Sequence, residues 1–479
     1  MPAALRIIRA IENVRWLPAI GDCPTIDAEQ DEKMRLSQPY KTRWRAHEEE
    51  LEEPDSQGEL TPEEIKRRDH NAGLVKQLAK IGGKIGNYAA GRLAASFNLR
   101  ITRPGYEFDG SIAPSTPESP PGRHDEMLKA LLQKWFDNAT VSGYGDVQEQ
   151  VTKVDKAVRA AREFTSSEFT VEPELLRRVE QIWCEHFVPG SDVYAEPYKI
   201  HLYGPDGHFR SHRDTPQRGL VGTFLLGLGD TALFGGLVVE GKELEADPGH
   251  WCAFYPDVPH EVTSLHDGYR ATIAFKIFRE PSFTGETAKT REVRARASEI
   301  VKKLEAPYGI LLEHKYGLGT TQFNGFDAIV ADCVRSLTTV RTYHLPVVIE
   351  SFSFWGSSSR EDPSEDWHMS CSTSVYPFAR GYIEASVGSP FLRSRGDASH
   401  ARCGCPWLIG VKDLPFFSLD LSRTTIPIRN ESRETCNYVG NEAQEWEEES
   451  VYLSHALIVL PAPSTVGTSD ACESGSVEG

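Results

Sequence analysis

The sequence predicts an α+β protein with a jelly-roll sandwich or barrel of short strands, flanking helices and a C-terminal β-containing domain. The first observation is a series of short apolar runs, separated by glycine and proline, at 219–228, 233–239, 251–255 and 269–278. Several short strands at this pitch are typical of a sandwich or barrel. The second observation is the helical spacing of apolar residues in 127–136 and 175–183, which predicts two amphipathic helices.

Composition divides the chain into five predicted segments. The first is rich in charged residues and ends in a proline-rich linker, the third is charged and helix-forming, and the last is rich in serine and glycine. The segments are an N-terminal charged or helical arm and linker at 1–122, a core domain at 123–282, a connecting helix at 283–308, a C-terminal domain at 309–462 and a disordered tail at 463–479.

Charge and length limit the classes of function. With 479 residues, 39% of them hydrophobic, the chain is long enough to bury a substantial core in two or three domains. Its 70 acidic residues outnumber 52 basic ones, which gives a formal charge of -18 at pH 7. Such a charge repels phosphate backbones and anionic lipid, so we expect neither nucleic acid nor a membrane surface as a partner.

The cellular location is predicted from what the sequence contains. Charged residues interrupt the N-terminus before a signal-peptide core forms, and no stretch approaches the roughly 20 apolar residues of a membrane helix. The nine cysteines, an odd number, follow no regular framework, which favours a reducing compartment. We therefore expect a cytoplasmic or nuclear protein.

Three residues in the strand-rich region predict a metal site. Residues two apart on a strand project to the same side, so His212 and Asp214 can hold one metal ion. His260 follows a separate strand-like run and is suitably placed as the third ligand. Two histidines and a carboxylate occupy one face of an octahedral iron and leave three positions open.

The pair His212 and Asp214 is weak evidence by itself, because the same spacing occurs at 47–49 and 124–126. Arg270, ten residues after His260, strengthens the hypothesis. An arginine on the inner face of an apolar strand requires a partner, and a dicarboxylate cosubstrate would accept a two-pronged pair from it. The alternative is an ordinary salt bridge to a protein carboxylate.

Two further residues are candidate cosubstrate contacts. Thr272 shares a strand face with Arg270, and Tyr203 lies on the face of the preceding strand that also carries Lys199 and His201. Tyr203 can donate a hydrogen bond to the distal carboxylate of a cosubstrate. The alternatives are a plain strand-forming threonine and a surface tyrosine.

Together these residues carry a family resemblance. The run from Tyr203 to Thr215, with His212 and Asp214 in it, precedes three further signatures in a fixed order. The ordered set resembles prolyl 4-hydroxylase-like 2-oxoglutarate/Fe(II) oxygenases, especially large fungal members. The likeness covers about 142–280 and extends to a shorter element at 438–442. The three later signatures are Phe-Gly-Gly-Leu at 234–237, Pro-His-Glu at 259–261 and Arg270.

The resemblance implies a double-stranded β-helix that binds Fe(II) through His212, Asp214 and His260 and 2-oxoglutarate through Arg270. It implies O2 as a second cosubstrate, succinate and CO2 as products and ascorbate as an optional reductant. Some relatives contact the cosubstrate with a tyrosine on the strand where this chain has Thr223, so either Thr223 replaces it or Tyr203 makes the contact alone. The substrate is a prolyl or other residue of a protein or peptide, or a small molecule.

The carboxylate of Asp214 argues for hydroxylation or another oxygen-rebound outcome, because related halogenases carry a small residue at this position. Two rival classes stay open: a catalytically inactive jelly-roll scaffold or binding module, and a cupin-like metalloenzyme that needs no cosubstrate. For the C-terminal domain we expect no catalytic role. His400, Cys403 and Cys405 match no common zinc site.

Overall fold

The computed structural model describes residues 61–116, 122–146, 151–188, 193–215, 217–280, 286–316, 320, 322–356, 368–377, 414–420 and 453–462. Several sequence predictions lie outside these residues. They concern most of the charged arm, the residues around His400, the element at 438–442 and the tail at 463–479.

Five α-helices form within the described ranges, and two of them are the predicted amphipathic helices. Helix α2 begins after Asp125, whose side chain accepts a hydrogen bond from the backbone N–H of Leu128 at 2.9 Å. Helix α3 begins at Pro173, a favoured first-turn residue. The helices are α1 (Pro62–Gly82), α2 (Glu126–Asn138), α3 (Pro173–His186), α4 (Ala288–Val301) and α5 (Gly325–Arg335).

The strands are β1 (Tyr88–Arg92), β2 (Phe97–Arg103), β3 (Tyr106–Ile112), β4 (Thr140–Val141), β5 (Tyr144–Asp146), β6 (Val151–Lys153), β7 (Arg159–Ala160), β8 (Arg162–Thr165), β9 (Phe169–Val171), β10 (Val193–Tyr203), β11 (His208–His212), β12 (Leu220–Asp230), β13 (Leu237–Val239), β14 (Lys242–Leu244), β15 (His250–Phe254), β16 (His260–Val262), β17 (Arg270–Arg279), β18 (Tyr308–Tyr316), β19 (Val340–Gly356), β20 (His368–Pro377), β21 (Phe416–Ser418) and β22 (Leu453–Pro461).

Two antiparallel sheets form the centre of the molecule. The larger has seven strands in the order β1-β15-β12-β17-β10-β8-β4, and the smaller has five in the order β14-β13-β16-β11-β7. Buried residues of both sheets belong to one hydrophobic core, with Phe224 and Phe275 from the larger sheet and Val239 and Val262 from the smaller. Burying one such side chain contributes about 1.5–3 kcal/mol. The two sheets therefore share one hydrophobic core.

Strand β12 is apolar along nearly its whole length because both of its faces are covered. One face contributes to the core between the sheets, and helix α3 lies over the other. The cover is close, since a Cβ atom at Gly222 would lie 2.0 Å from the ring of Trp183. This double burial explains a continuous apolar run where a one-sided strand would alternate.

A second unit follows the central sheets. Its five-stranded sheet has the order β20-β19-β22-β18-β21, with only the β18–β21 pair parallel among its described strands. The core of this unit includes Leu78 of α1, Val301 of α4, Tyr308 of β18, Ile329 of α5 and Leu457 of β22. Helix α1, from the N-terminal segment, thus contributes to the core of the C-terminal sheet.

The described part of the segment 1–122 also reaches the central sheet, because β1 pairs with β15 at its edge. The five-segment division stays a prediction. Among the described helices, none combines the length and apolarity needed to cross a bilayer. The architecture is mixed α/β, with mostly antiparallel sheets.

Candidate metal centre

The three predicted ligands meet at one end of the smaller sheet. Strand β11 ends at His212 and β16 begins at His260, and the antiparallel register places these two residues directly opposite each other. Asp214 follows two residues after the end of β11. One ligand atom from each of the three residues lies within 4.8 Å of the others, a spacing that a single metal ion can bridge.

Backbone carbonyls fix the orientation of both imidazoles. The Nδ1 atom of His212 lies 2.7 Å from the carbonyl oxygen of Arg210, and that of His260 lies 3.0 Å from the carbonyl oxygen of Val258. A carbonyl can only accept, so each Nδ1 carries the proton and each Nε2 keeps its lone pair. This is the arrangement in which histidine binds a metal through Nε2.

The carboxylate of Asp214 is oriented by its neighbours. Its Oδ2 atom accepts a hydrogen bond from the hydroxyl of Thr223, and its backbone N–H donates to the carbonyl of Pro256 at 3.0 Å. The Oδ1 atom faces Nε2 of His260 at 3.8 Å. The carboxylate therefore presents one oxygen toward the imidazoles while the other is held by Thr223.

The surroundings favour a neutral His212. His212 and His260 are 6% and 7% exposed. Burial lowers the pKa of His212 well below its usual range, and the nearby His260 and Arg159 lower it further. A lowered pKa leaves the imidazole unprotonated at neutral pH, which metal binding requires.

Aromatic rings line the site beside the two histidines. The ring of Phe209 stacks on His212 with centroids 3.6 Å apart, and that of Phe254 lies 4.4 Å from His260. The guanidinium of Arg159 lies 4.5 Å from the centroid of the Phe209 ring. These contacts restrict the rotation of both imidazoles and exclude water from their faces.

Arg270 begins strand β17 and is 3% exposed. Its Nη1 atom pairs with the carboxylate of Asp230, and its Nη2 atom donates to the carbonyl of Leu244 at 3.0 Å. The alternative partner of Arg270, a carboxylate of the protein itself, is therefore present in the structure as Asp230. Gly236, from the predicted Phe-Gly-Gly-Leu signature, leaves room for this arrangement, since a Cβ atom there would lie 2.9 Å from Nη1.

The other three predicted site residues lie in two places, on the paired strands β10 and β17 and beside Asp214. Tyr203 lies opposite Arg270 in the β10–β17 register, and Thr272 lies opposite His201. Tyr203 is 4% exposed, so it is a buried residue and not a surface one. Thr223 lies instead beside the predicted metal ligands, through its hydrogen bond to Asp214.

His201 is a neighbour of the centre that the sequence analysis did not name as a site residue. Its Nδ1 atom accepts a hydrogen bond from Nη2 of Arg159 at 2.8 Å. Burial, followed by the charge of Arg159, lowers the pKa of His201 well below its usual range. The shared strand face of Lys199, His201 and Tyr203 was the signal that could have identified it.

Comparison with known proteins gives little beyond this geometry. No protein-family model and no curated protein matches the chain. Among solved structures, it is similar to a prolyl-4-hydroxylase of Pseudomonas putida, with 14% identity, a TM-score of 0.26 and coverage of 43% of this chain and 100% of that one. It is also similar to a 2OG-Fe(II) oxygenase family oxidoreductase of Burkholderia pseudomallei, with 10% identity, a TM-score of 0.24 and coverage of 43% and 91%. Likeness at these scores carries no argument about fold or function.

Proposed function

We propose that this chain is an Fe(II)- and 2-oxoglutarate-dependent dioxygenase. The observation that carries the proposal is the convergence of His212, Asp214 and His260, whose ligand atoms lie within 4.8 Å of one another. Two imidazoles and one carboxylate are the donor set of non-haem Fe(II) oxygenases, in which three adjacent coordination positions stay open for cosubstrate and oxygen. The donor chemistry of the site therefore fits the metal.

Arg270 is the proposed anchor for the distal carboxylate of 2-oxoglutarate. A guanidinium has five N–H donors, and Asp230 and Leu244 engage its two terminal nitrogens in this structure. In the proposal, the remaining donors and the hydroxyl of Tyr203 bind the cosubstrate. Thr272 is a second proposed contact, while Thr223 acts through Asp214.

Bound Fe(II) would supply the redox chemistry that couples R–H, O2 and 2-oxoglutarate to R–OH, succinate and CO2. The contribution of the chain is positioning and shielding. The carbonyls of Arg210 and Val258 keep both ligand imidazoles in the Nδ1-protonated form. The rings of Phe209 and Phe254 exclude water from the two histidines.

The same proposal includes the fold of the central sheets, the roles of two segments, the substrate class and the reductant. We assign the two central sheets to a double-stranded β-helix, the segment 123–282 to the oxygenase domain and the segment 309–462 to a non-catalytic domain. The substrate is a prolyl or other residue of a protein or peptide, or a small molecule, acted on in the cytoplasm or nucleus. Ascorbate is an optional reductant.

A second candidate is a metalloenzyme of this fold that uses no 2-oxoglutarate. It is favoured by one observation, the ion pair between Arg270 and Asp230. This pair neutralises the guanidinium within the protein, so no cosubstrate is needed to balance its charge.

The test supplies Fe(II), ascorbate and 2-oxoglutarate to the full chain and measures succinate formed without added substrate. We expect succinate from the unmodified protein and from His208→Ala, and none from His212→Ala. His208 is the matched control because it lies on the same strand β11, four residues before the ligand. Metal binding without succinate would favour the second candidate, and a failure to bind Fe(II) would overturn both.

A further inference from the structure

The turn between β15 and β16 contacts the metal centre at three points. The carbonyl of Pro256 accepts from the backbone N–H of Asp214 at 3.0 Å, and the carbonyl of Val258 lies 3.0 Å from Nδ1 of His260. Between them, the carbonyl of Asp257 accepts from Nε of Arg213 at 2.8 Å. Two of these consecutive carbonyls therefore contact the predicted ligands Asp214 and His260, and the third contacts Arg213, which precedes Asp214 in the chain.

The side chain of Asp257, at the middle of this turn, points to the second unit of the molecule. Its Oδ1 and Oδ2 atoms lie 3.1 and 3.3 Å from Nδ1 of His314, and Oδ2 accepts from the backbone N–H of Lys315 at 2.9 Å. Both partners belong to strand β18. The side chains of His314 and Asp257 are 3% and 11% exposed, so the contact is a buried one across the two units.

The pair is charged at neutral pH. Burial opposes protonation of His314, but the carboxylates of Asp257, Asp327 and Glu313 outweigh it and raise the pKa of His314 to about 10. For Asp257, burial again opposes the charged form, but His314 and the N–H of Lys315 outweigh it and lower the pKa. A buried charge pair of this kind fixes geometry because breaking it leaves an uncompensated charge.

Other residues of the second unit fix the position of His314. Asp327, in the first turn of helix α5, accepts hydrogen bonds from the backbone N–H groups of Glu313 and His314, both at 2.9 Å. Gly325, at φ 55°, passes so close that a Cβ atom there would lie 2.6 Å from Nε2 of His314. The imidazole therefore has little freedom to follow Asp257 if the turn moves.

We propose that Asp257 and His314 are positioning residues of the metal centre, through which the second unit holds the turn 255–259 and thereby the ligands Asp214 and His260. On this view the C-terminal unit helps to position the ligands of the metal site. The inference rests on the proposed function, in that the triad is taken to bind a metal ion.

The experiment measures the affinity of the full chain for Mn(II), a redox-stable probe for the Fe(II) site, by titration calorimetry. Asp257→Asn keeps the shape of the side chain, His314→Asn keeps a nitrogen near the position of Nδ1 on a smaller side chain, and each removes the ion pair. The control is Asn71→Leu, which removes two hydrogen bonds to Glu305 in the same unit, outside both the turn 255–259 and strand β18. Unfolding by urea is measured for each variant without metal.

We expect Asp257→Asn and His314→Asn to weaken Mn(II) binding by about 10-fold or more, as partners that orient metal ligands typically do. Asn71→Leu is expected to lose stability but to keep its Mn(II) affinity within about 2-fold, because it acts on folding alone. Unchanged affinity in a folded Asp257→Asn variant, or an equal loss in Asn71→Leu, would overturn the inference.

A second measurement needs no variant. If the ion pair couples the two units, Mn(II) binding to the unmodified protein slows amide hydrogen exchange in the peptide 308–316, where Lys315 donates to Asp257. Unchanged exchange there would contradict the coupling. Absence of Mn(II) binding by the unmodified protein would instead remove the proposed function itself, so the two failures are distinguishable.

Discussion

The hydroxyl of Thr223 donates a hydrogen bond to the Oδ2 atom of Asp214. Thr223 lies on β12 of the larger sheet, whereas Asp214 follows β11 of the smaller sheet, so the bond ties one sheet to a proposed metal ligand carried by the other. The carboxylate is thereby held with its Oδ1 atom 3.8 Å from Nε2 of His260. Thr223 thus contacts a proposed metal ligand, a role distinct from the cosubstrate contact that the sequence suggested.

Replacing Thr223 by Val removes this hydrogen bond while keeping the size of the side chain. We expect Mn(II) affinity to fall by about 10-fold, within the range typical for partners that orient a metal ligand. Thr223→Ser, which keeps the hydroxyl, is the matched control and is expected to bind like the unmodified protein. Equal affinity of the Val and Ser variants would contradict the role given to the hydroxyl.

Replacing Arg270 by Gln leaves the carboxylate of Asp230 without its cation. We expect the free energy of unfolding to fall by about 3–5 kcal/mol, the usual result of breaking a buried pair from one side. The double variant Arg270→Gln/Asp230→Asn is expected to regain most of that loss. Urea denaturation measures both effects.

The same two variants test the cosubstrate role of Arg270. In the presence of Mn(II), 2-oxoglutarate is expected to raise the thermal midpoint of the unmodified protein but of neither variant. This holds because ligand binding stabilises only a protein that can bind it. Stabilisation of the double variant by 2-oxoglutarate would mean that Arg270 serves structure alone.

Gly236→Ala is expected to weaken 2-oxoglutarate binding through Arg270. The added Cβ would lie 2.9 Å from Nη1, so the guanidinium must shift away from its present position. We expect the KM for 2-oxoglutarate to rise while Mn(II) affinity stays the same. The control is Gly73→Ala rather than Gly241→Ala, because Gly241 has φ 76°. A Cβ atom at Gly73 meets nothing within 4 Å.

The Asp257–His314 pair predicts how stability depends on pH. Because the pKa of His314 rises from 6.5 to about 10 on folding, its contribution is complete below about pH 6.5 and is lost as the pH rises toward 10. Because the pKa of Asp257 is lowered from 3.8, its contribution is present above that pH and is lost in acid. The stability difference between the unmodified protein and Asp257→Asn is therefore largest between about pH 4 and 6.5.

Urea denaturation of the metal-free proteins at about pH 5.5, 7.5 and 9.5 measures this difference across the window given by linkage. We expect it to shrink at each step toward alkaline pH. A difference that stays constant from acid to alkaline pH would show that His314 does not hold a proton in the folded state.

The parts of the site that sequence reasoning brought together are those set by local strand geometry. His212 and Asp214 are two residues apart, so alternation predicted their common side, although β11 ends at His212 and the hydrogen bonds to Pro256 and Thr223 orient Asp214. His260 was predicted as the third ligand because it follows a strand-like run, and the structure places it at the start of β16. The helices α2 and α3 were likewise predicted from apolar spacing within a single element.

The parts that the sequence did not reveal join distant residues. Asp257 and His314 are separated by 57 positions, and Arg270 and Asp230 by 40. Their pairing depends on how strands and units pack, which no local pattern encodes. The strand β1 also lay within a segment predicted to be an arm and linker, yet it pairs with β15 in the central sheet.

The central claim is that His212, Asp214 and His260 bind one metal ion together. The most direct measurement is anomalous X-ray diffraction from a crystal of the full chain grown with Mn(II) and 2-oxoglutarate. We expect one strong manganese peak at coordination distance from Nε2 of both histidines and from an oxygen of Asp214. A manganese peak on other side chains, or none near these three in a crystal that holds Mn(II), would contradict the account.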